Sequence, residues 1–76
     1  MVKLSSVRSG SKVAIKSVDR EEYRFSLYNM GLYPGSSVRV VFNDGVSIVV
    51  VDVDGALVAL SYSLADSLNV EVVEGG

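Results

Sequence analysis

The chain has 76 residues, is 49% hydrophobic, and carries seven basic and nine acidic residues for a net charge of −2. A chain of this length supports one small domain with a single core, so residues 1–76 are treated as one domain. It contains no cysteine and no histidine, which excludes disulfides, thiol catalysis and the donor sets of tight zinc or iron sites. The acidic balance argues against a nucleic-acid partner, since such domains usually present a basic face.

The first predicted elements are a strand and a helix. Residues 12–18 alternate apolar and polar side chains, with Val13 and Ile15 on the inward face, as in a half-buried strand. Asp19 is placed to cap the following helix. Glu22, three residues later, is spaced to complete a capping box.

The helix is predicted to bury one face and to expose an aromatic side chain on the other. Leu27 and Met30 lie on the face expected to meet the core. Phe25 lies on the opposite face with Arg24 and Tyr28 beside it, so burial does not explain this phenylalanine. Aromatic and arginine side chains are the usual anchors of protein interfaces.

The end of the helix carries the most informative local signal in the chain. Gly31 is predicted to adopt the left-handed conformation that closes a helix in a Schellman motif. In that motif Leu32 packs back on Leu27. This predicts a sharp end to the helix and a fixed path for the residues that follow.

Pro34 and Gly35 predict a type II turn before the next strand, because proline sets the first central position and glycine accepts the second. Tyr33 precedes this turn and adjoins the aromatic side chains of the helix. The predicted partner-binding residues are therefore Arg24, Phe25, Tyr28 and Tyr33.

Two Asp-Gly pairs predict a three-stranded meander. The pairs ending in Gly45 and Gly55 each fit a two-residue type I′ hairpin turn. In the register that these turns imply, every inward pair is apolar: Val38 with Val51, Val40 with Val49, Val51 with Val58, and Val49 with Leu60. Agreement between the two hairpins on one inward face supports this register.

The outward face of the meander is apolar as well. Its members form an alternative interaction patch: Val41, Ile48, Val50 and Leu57, next to Ala59. A contiguous patch of this kind predicts a partner or weak self-association, unless neighbouring elements cover it.

The last elements are a short helical turn and a closing strand. Ser63 is predicted to cap a turn that runs through Leu68, and residues 70–73 form the strand. The order predicts a mainly β fold, a small SH3-like five-stranded barrel. One helix is inserted after the first strand and a short helical turn precedes the last. An open sheet with one helix over it is the alternative.

Nothing in the chain predicts catalysis. Asp52 and Asp54 are two apart on one strand and point outward, and we interpret them as a solvated strand position and a turn residue. Without histidine or cysteine there is no triad or thiol pair, and no glycine-rich phosphate loop is present. We therefore expect no enzyme activity, no cofactor and no metal site. No apolar run approaches the ~20 residues of a membrane span, which predicts a cytoplasmic protein without membrane insertion.

Nearly the whole chain resembles the ferrous iron transport protein A (FeoA) family. The matching positions are Leu4, Ser5, Gly10, Tyr23, Arg24, Leu27, residues 30–32 and 34–35, Val38, Val40, Val49, Val51, Val53, Gly55, Ala59, Leu60, Ala65 and residues 70–72. The resemblance implies an SH3-like barrel with an inserted helix. It also implies a cytosolic accessory role, with the cytosolic part of the ferrous iron permease FeoB as partner.

Two departures from the family concern the choice of partner. Family members often carry a longer loop where Asp44 and Gly45 predict a tight hairpin, and a basic residue where Ser61 stands. The label of transition-metal binding that such families often carry has little direct support among these residues. The alternatives are a stand-alone barrel serving a metal-responsive transcriptional regulator and a small RNA-binding barrel, which the acidic balance disfavours.

Overall fold

The computed structural model describes all 76 residues. Six strands and two short α-helices form the fold. The strands are β1 (Val2–Lys3), β2 (Lys12–Val18), β3 (Ser37–Asn43), β4 (Ile48–Val53), β5 (Ala56–Ser61) and β6 (Leu68–Glu74). Helix α1 (Arg24–Asn29) lies between β2 and β3, and α2 (Tyr62–Asp66) between β5 and β6. Two 3₁₀ turns cover Leu4–Ser6 and Glu21–Tyr23. None of the helices has the length and apolar character needed to cross a membrane.

All the strands belong to one antiparallel sheet in the order β1-β6-β2-β3-β4-β5. This confirms the mainly β, SH3-like architecture, but the predicted count of five strands is wrong. The additional strand is β1, which pairs with β6 through Val2 opposite Val70. Two residues are too few to show an alternating pattern, so the sequence does not reveal β1. With β1 counted, the inserted helix follows the second strand instead of the first.

The two ends of the sheet are linked by the 3₁₀ turn after β1 and by α2, which follows β5. Ser5 Oγ donates a hydrogen bond of 2.7 Å to Asp66 Oδ1 and so joins the 3₁₀ turn to α2. Asn43 Nδ2 donates to the carbonyl oxygens of Ser5 and Val7, both at 2.9 Å. The lead-in segment is thereby fixed to the end of β3.

A single core fills the space inside the curled sheet. Its 14 buried apolar residues are Leu4, Val7, Val13, Ile15, Leu27, Leu32, Val38, Val40, Val49, Val51, Leu60, Ala65, Leu68 and Val70. Helix α1 contributes only Leu27 to this core. The other side chains of α1 are free to serve the surface.

The hairpin between β4 and β5 has the predicted register. Asp54 (φ 50°) and Gly55 (φ 90°) both have positive φ, as a type I′ turn requires. Val51 lies opposite Val58, and Val49 lies opposite Leu60. The second Asp-Gly prediction is confirmed.

The hairpin between β3 and β4 has a different register from the predicted one. Val40 lies opposite Val51 instead of Val49. The cause is the side chain of Asp44, whose Oδ1 accepts hydrogen bonds from the backbone N–H groups of Val46, Ser47 and Ile48. These bonds hold a loop longer than the two-residue turn predicted for Asp44 and Gly45.

This shift leaves the inward face of β3 unchanged but alters its outward face. The strand pair is displaced by two residues at Val40, and a two-residue displacement keeps each side chain on its original face. A β-bulge between Val40 and Phe42 then places Phe42 opposite Val50. The prediction that Val41 lies opposite Ile48 is wrong for this reason.

The predicted helix caps are also wrong. The chain forms the 3₁₀ turn Glu21–Tyr23 before α1, and neither element has a side-chain cap. Asp19 instead contacts Lys3 and accepts a 2.7 Å hydrogen bond from Asn69 Nδ2. At α2 the capping residue is Ser61, whose Oγ accepts from Leu64 N at 3.2 Å, and the helix ends before Leu68.

Candidate functional site

The end of α1 has the predicted Schellman geometry. Gly31 has φ 84°, and its N–H donates to the carbonyl of Tyr28 at 3.0 Å. The N–H of Leu32 donates to the carbonyl of Leu27 at 2.8 Å, which is the second bond of the motif. Leu27 and Leu32 are both fully buried. The backbone after α1 is therefore fixed by hydrogen bonds and by core packing.

The following turn is fixed just as firmly. Gly35 has φ 100°, and the N–H of Ser36 donates to the carbonyl of Tyr33 at 2.9 Å, as in the predicted type II turn. The N–H of Gly35 donates to Ile15 O at 3.0 Å, and Ile15 N–H donates to Ser36 O at 2.8 Å. These two bonds attach the turn to β2.

A groove of about 410 Å³ lies between α1 and this turn. It is lined by Val18, Glu21, Arg24, Phe25, Tyr28, Leu32, Tyr33 and Pro34. We call it the aromatic groove. All four residues predicted to bind a partner line this one groove, so the structure brings them together.

The aromatic side chains of the groove are accessible. Phe25 is 78% exposed, Tyr28 is 62% exposed and Tyr33 is 40% exposed. The rings of Tyr28 and Tyr33 pack with their centroids 5.0 Å apart and their planes at 38°. A helix residue and a turn residue thus form one aromatic surface on a fixed backbone.

Charged side chains lie at the edge of this surface. Arg24 Nη1 lies 3.4 Å from Glu21 Oε1, and both side chains are exposed. Arg20 stacks over the Tyr23 ring at 5.0 Å and donates to Glu22, which lowers the pKa of the Glu22 carboxyl below its usual value. The edge therefore carries both signs of charge.

Sequence reasoning missed Val18, Glu21, Leu32 and Pro34 as lining residues. For Glu21 a signal existed, because a carboxylate three residues before an arginine lies beside it on a helical surface. The position of Val18 depends on how β2 meets α1, and the spacing of residues carries no signal for that contact.

The alternative patch lies on the outer face of the meander, and none of its residues lines the aromatic groove. Leu57 is 67% exposed and Val41 is 45% exposed, whereas Ile48 and Val50 are half-buried. Phe42, 49% exposed, lies opposite Val50. We define the sheet patch as Val41, Phe42, Ile48, Val50 and Leu57. Phe42 was missed because the β-bulge that turns it outward has no signature in this sequence.

The carboxylates serve the backbone of the hairpins. Asp52 Oδ1 accepts from Gly55 N–H at 2.7 Å across the β4–β5 turn. Hydrogen bonds from the Ser47 hydroxyl and from three backbone N–H groups hold the pKa of Asp44 well below its usual range. No group of three or more acidic side chains is arranged to hold a metal ion. The residues present do not fit a transition-metal site.

Comparison with protein families identifies the family of this chain. The model described as the FeoA domain matches residues 2–72. Comparison with curated protein sequences gives no match.

Solved structures of similar fold include two FeoA proteins and one longer chain. The crystal structure of Iron Uptake Regulatory Protein (FeoA) is 27% identical, with a TM-score of 0.85 over 92% of this chain and 93% of that chain. The solution structure of the FeoA protein from Chlorobium tepidum is 25% identical, with a TM-score of 0.83 over 99% of this chain and 73% of that chain. IdeR from T. acidophilum is 23% identical, with a TM-score of 0.82 over 93% of this chain and 33% of that chain, a likeness of fold alone.

Proposed function

Because this chain belongs to the FeoA family, we propose that it is a cytosolic accessory protein of ferrous iron uptake that binds the cytosolic part of an FeoB-type membrane iron permease. Family membership supports the role in ferrous iron transport. The protein acts by protein–protein interaction and performs no chemistry of its own. The proposed binding site is the aromatic groove, and this groove is the main structural support for the proposal.

The fold does not need the aromatic side chains of this groove. Within helix α1 only Leu27 is buried in the core, and Tyr23 and Met30 at its two ends pack partly buried against it. Phe25 nevertheless leaves most of its apolar surface in water. Exposed apolar area of this size gains free energy when a partner covers it, at about 25 cal/mol per Å².

The groove is also organised before a partner arrives. The Schellman bonds of Gly31 and Leu32 and the turn bonds of Gly35 and Ser36 hold its backbone in place. A partner therefore orders little more than side chains, and binding pays little conformational entropy for ordering the backbone of the groove. Arg24 is held by a single long contact to Glu21, so a carboxylate on the partner can replace that glutamate.

Binding of the purified chain to the cytosolic part of an FeoB-type permease, measured by calorimetry, tests this proposal. Phe25→Ala and Tyr33→Ala should each weaken the complex by about tenfold or more, the loss expected for an interface anchor. Both variants should keep the melting temperature almost unchanged, because neither side chain belongs to the core. Phe42→Ala is the matched control, since it removes an exposed phenylalanine from the sheet patch and should leave binding intact.

The competing surface is tested in the same assay. Ile48→Lys combined with Leu57→Lys places two charges in the sheet patch. If this double variant abolishes binding while Phe25→Ala and Tyr33→Ala do not, the sheet patch makes the contact and the assignment of the aromatic groove is wrong.

A second candidate function has one observation in its favour. This chain has the fold of about one third of the IdeR chain. A stand-alone barrel that serves a metal-responsive transcriptional regulator would show the same likeness. Copurification from the native cytoplasm separates the two functions. Recovery of a transcriptional regulator in place of the permease would contradict the first proposal.

A further inference from the structure

Strand β5 forms one end of the sheet and pairs only with β4. The pair that flanks the two-residue turn, Val53 with Ala56, is hydrogen-bonded in such a hairpin, and hydrogen-bonded pairs then alternate along the strand. The backbone groups of Leu57 and Ala59 consequently point away from β4. No backbone hydrogen bond outside the regular elements uses them.

The free edge of β5 lacks the features by which proteins usually block pairing. Its sequence, Ala56–Ser61, contains no charged residue and no proline, whereas edge strands are commonly protected by one or the other. Leu57 is 67% exposed, and Ala59 is exposed as well. The opposite edge of the sheet is β1, which is only two residues long and includes Lys3. The β5 edge is therefore the one able to accept a further strand.

We propose that two copies of this chain pair through antiparallel β5 strands, with Val58 of each copy at the two-fold axis. In this register Leu57 of one copy lies opposite Ala59 of the other. The outward N–H groups of both residues donate to the partner's carbonyls, and the two copies together form four such bonds. In each of the two pairs the large side chain of Leu57 faces the small side chain of Ala59. The two pairs are equivalent because the two-fold axis relates one to the other.

The uncharged β5 strand permits a second copy to approach along this edge. Each copy carries a net charge of −2, so two copies repel each other unless their contact lies away from the acidic residues. Strand β5 is uncharged, and the nearest carboxylates, Asp52 and Asp54, lie on β4 and in the turn. In the paired arrangement the two β4 strands are three strand spacings apart, which keeps the two Asp52 residues at least about 14 Å from each other. The uncharged strand thus meets its own copy without bringing like charges together.

Sedimentation of the full chain from about 1 µM to about 1 mM, where weak dimers form, tests the pairing. A dimer should appear within this range. In that dimer, amide hydrogen exchange at Leu57 and Ala59 should slow as concentration rises, because their N–H groups become bonded. This readout uses the unmodified chain and does not depend on any variant folding.

A variant and its control test the same edge. Leu57→Lys combined with Ala59→Lys should raise the dimer dissociation constant by at least about tenfold. Val46→Lys places a lysine at an exposed apolar residue outside β5, in the β3–β4 loop, and should leave dimerisation unchanged.

Three outcomes would overturn the pairing. They are a monomer at every concentration, a dimer in which the Leu57 and Ala59 amides exchange as fast as in the monomer, and protection of these amides only when the permease fragment is added. The last outcome would assign the edge to that partner. Because Phe25→Ala and Tyr33→Ala leave β5 intact, failure here is distinguishable from failure of the proposed function.

Discussion

At Gly31 the backbone conformation and the packing both require a residue without a Cβ. Its φ of 84° is costly for any residue with a Cβ. A Cβ built at this position would lie 2.7 Å from Val53 Cγ1. Valine has little freedom to move away, because branching at Cβ restricts its rotamers.

We therefore expect Gly31→Ala to lower the free energy of unfolding by more than about 1 kcal/mol. Gly55→Ala is the matched control, because Gly55 has a similar φ of 90° but open space around its Cβ position. Urea denaturation of both variants measures the difference. Equal losses of unfolding free energy in the two variants would show that the contact between the added Cβ at position 31 and Val53 does not destabilise the fold.

Asp44 acts through hydrogen bonds that favour its ionised form. Its folded-state pKa lies below the unfolded value, so its contribution to stability is present above the unfolded pKa of about 3.9 and is lost as the pH falls below it. Asp44→Asn should lower the melting temperature at neutral pH, and the difference from the unchanged protein should shrink below about pH 4.

Thermal melts across this pH range measure the effect of Asp44→Asn. Ser47→Ala removes only the hydroxyl bond to Asp44 and should cause a smaller loss of the same sign. A difference that stays constant at every pH would refute the role of the carboxylate charge.

Among the elements, the two hairpins show how far local sequence determines pairing. In the β4–β5 hairpin the backbone takes the conformation that Asp-Gly favours, and the register follows from it. In the β3–β4 hairpin the same dipeptide is present, but the Asp44 side chain bonds three backbone N–H groups and selects a longer loop. Competition between a turn and a side-chain bond cannot be decided from the dipeptide alone.

Strand β4 is the element in which a charged substitution should destabilise the fold most, because it lies between β3 and β5. Val51 is fully buried and faces Val40 on one side and Val58 on the other. Val51→Asp should cost several kcal/mol and unfold the domain, since it buries an unpaired charge.

The adjacent residue on β4 gives the matched control for Val51→Asp. Val50 is half-buried and points to the outer face, so Val50→Asp should cost much less. Circular dichroism and melting temperature compare the two variants. A folded Val51→Asp protein with an unchanged melting temperature would contradict the inward assignment of this face.

At the scale of the whole molecule, the class of fold and four of the groove residues, Arg24, Phe25, Tyr28 and Tyr33, were predictable from sequence, whereas strand β1 was not. Alternation in β2 and the glycines at the turns are local signals that the structure follows. Phe25 was identified because it lies opposite Leu27 on the helix, which is also a local relation. Strand β1 and the bulge at Phe42 arise from contacts between distant parts of the chain, and short-range patterns do not encode them.

Direct iron binding by the whole molecule should be weak. The chain has no histidine or cysteine, and no three acidic side chains are arranged to hold a metal ion. Scattered carboxylates favour hard ions at low affinity. Anaerobic calorimetry with Fe(II) at neutral pH should show nothing tighter than about the high-micromolar range. Submicromolar binding to the monomer would disprove this expectation.

The attachment of α1 through Leu27 separates the evolution of recognition from the evolution of stability. The exposed positions of α1 are Arg24, Phe25, Ser26, Tyr28 and Asn29. Substitutions there change what the surface recognises while the core stays the same, so specificity can drift among related chains without a folding penalty. A combinatorial library at these positions, with Leu27 and Gly31 held constant, would yield domains that fold alike and differ in what they bind.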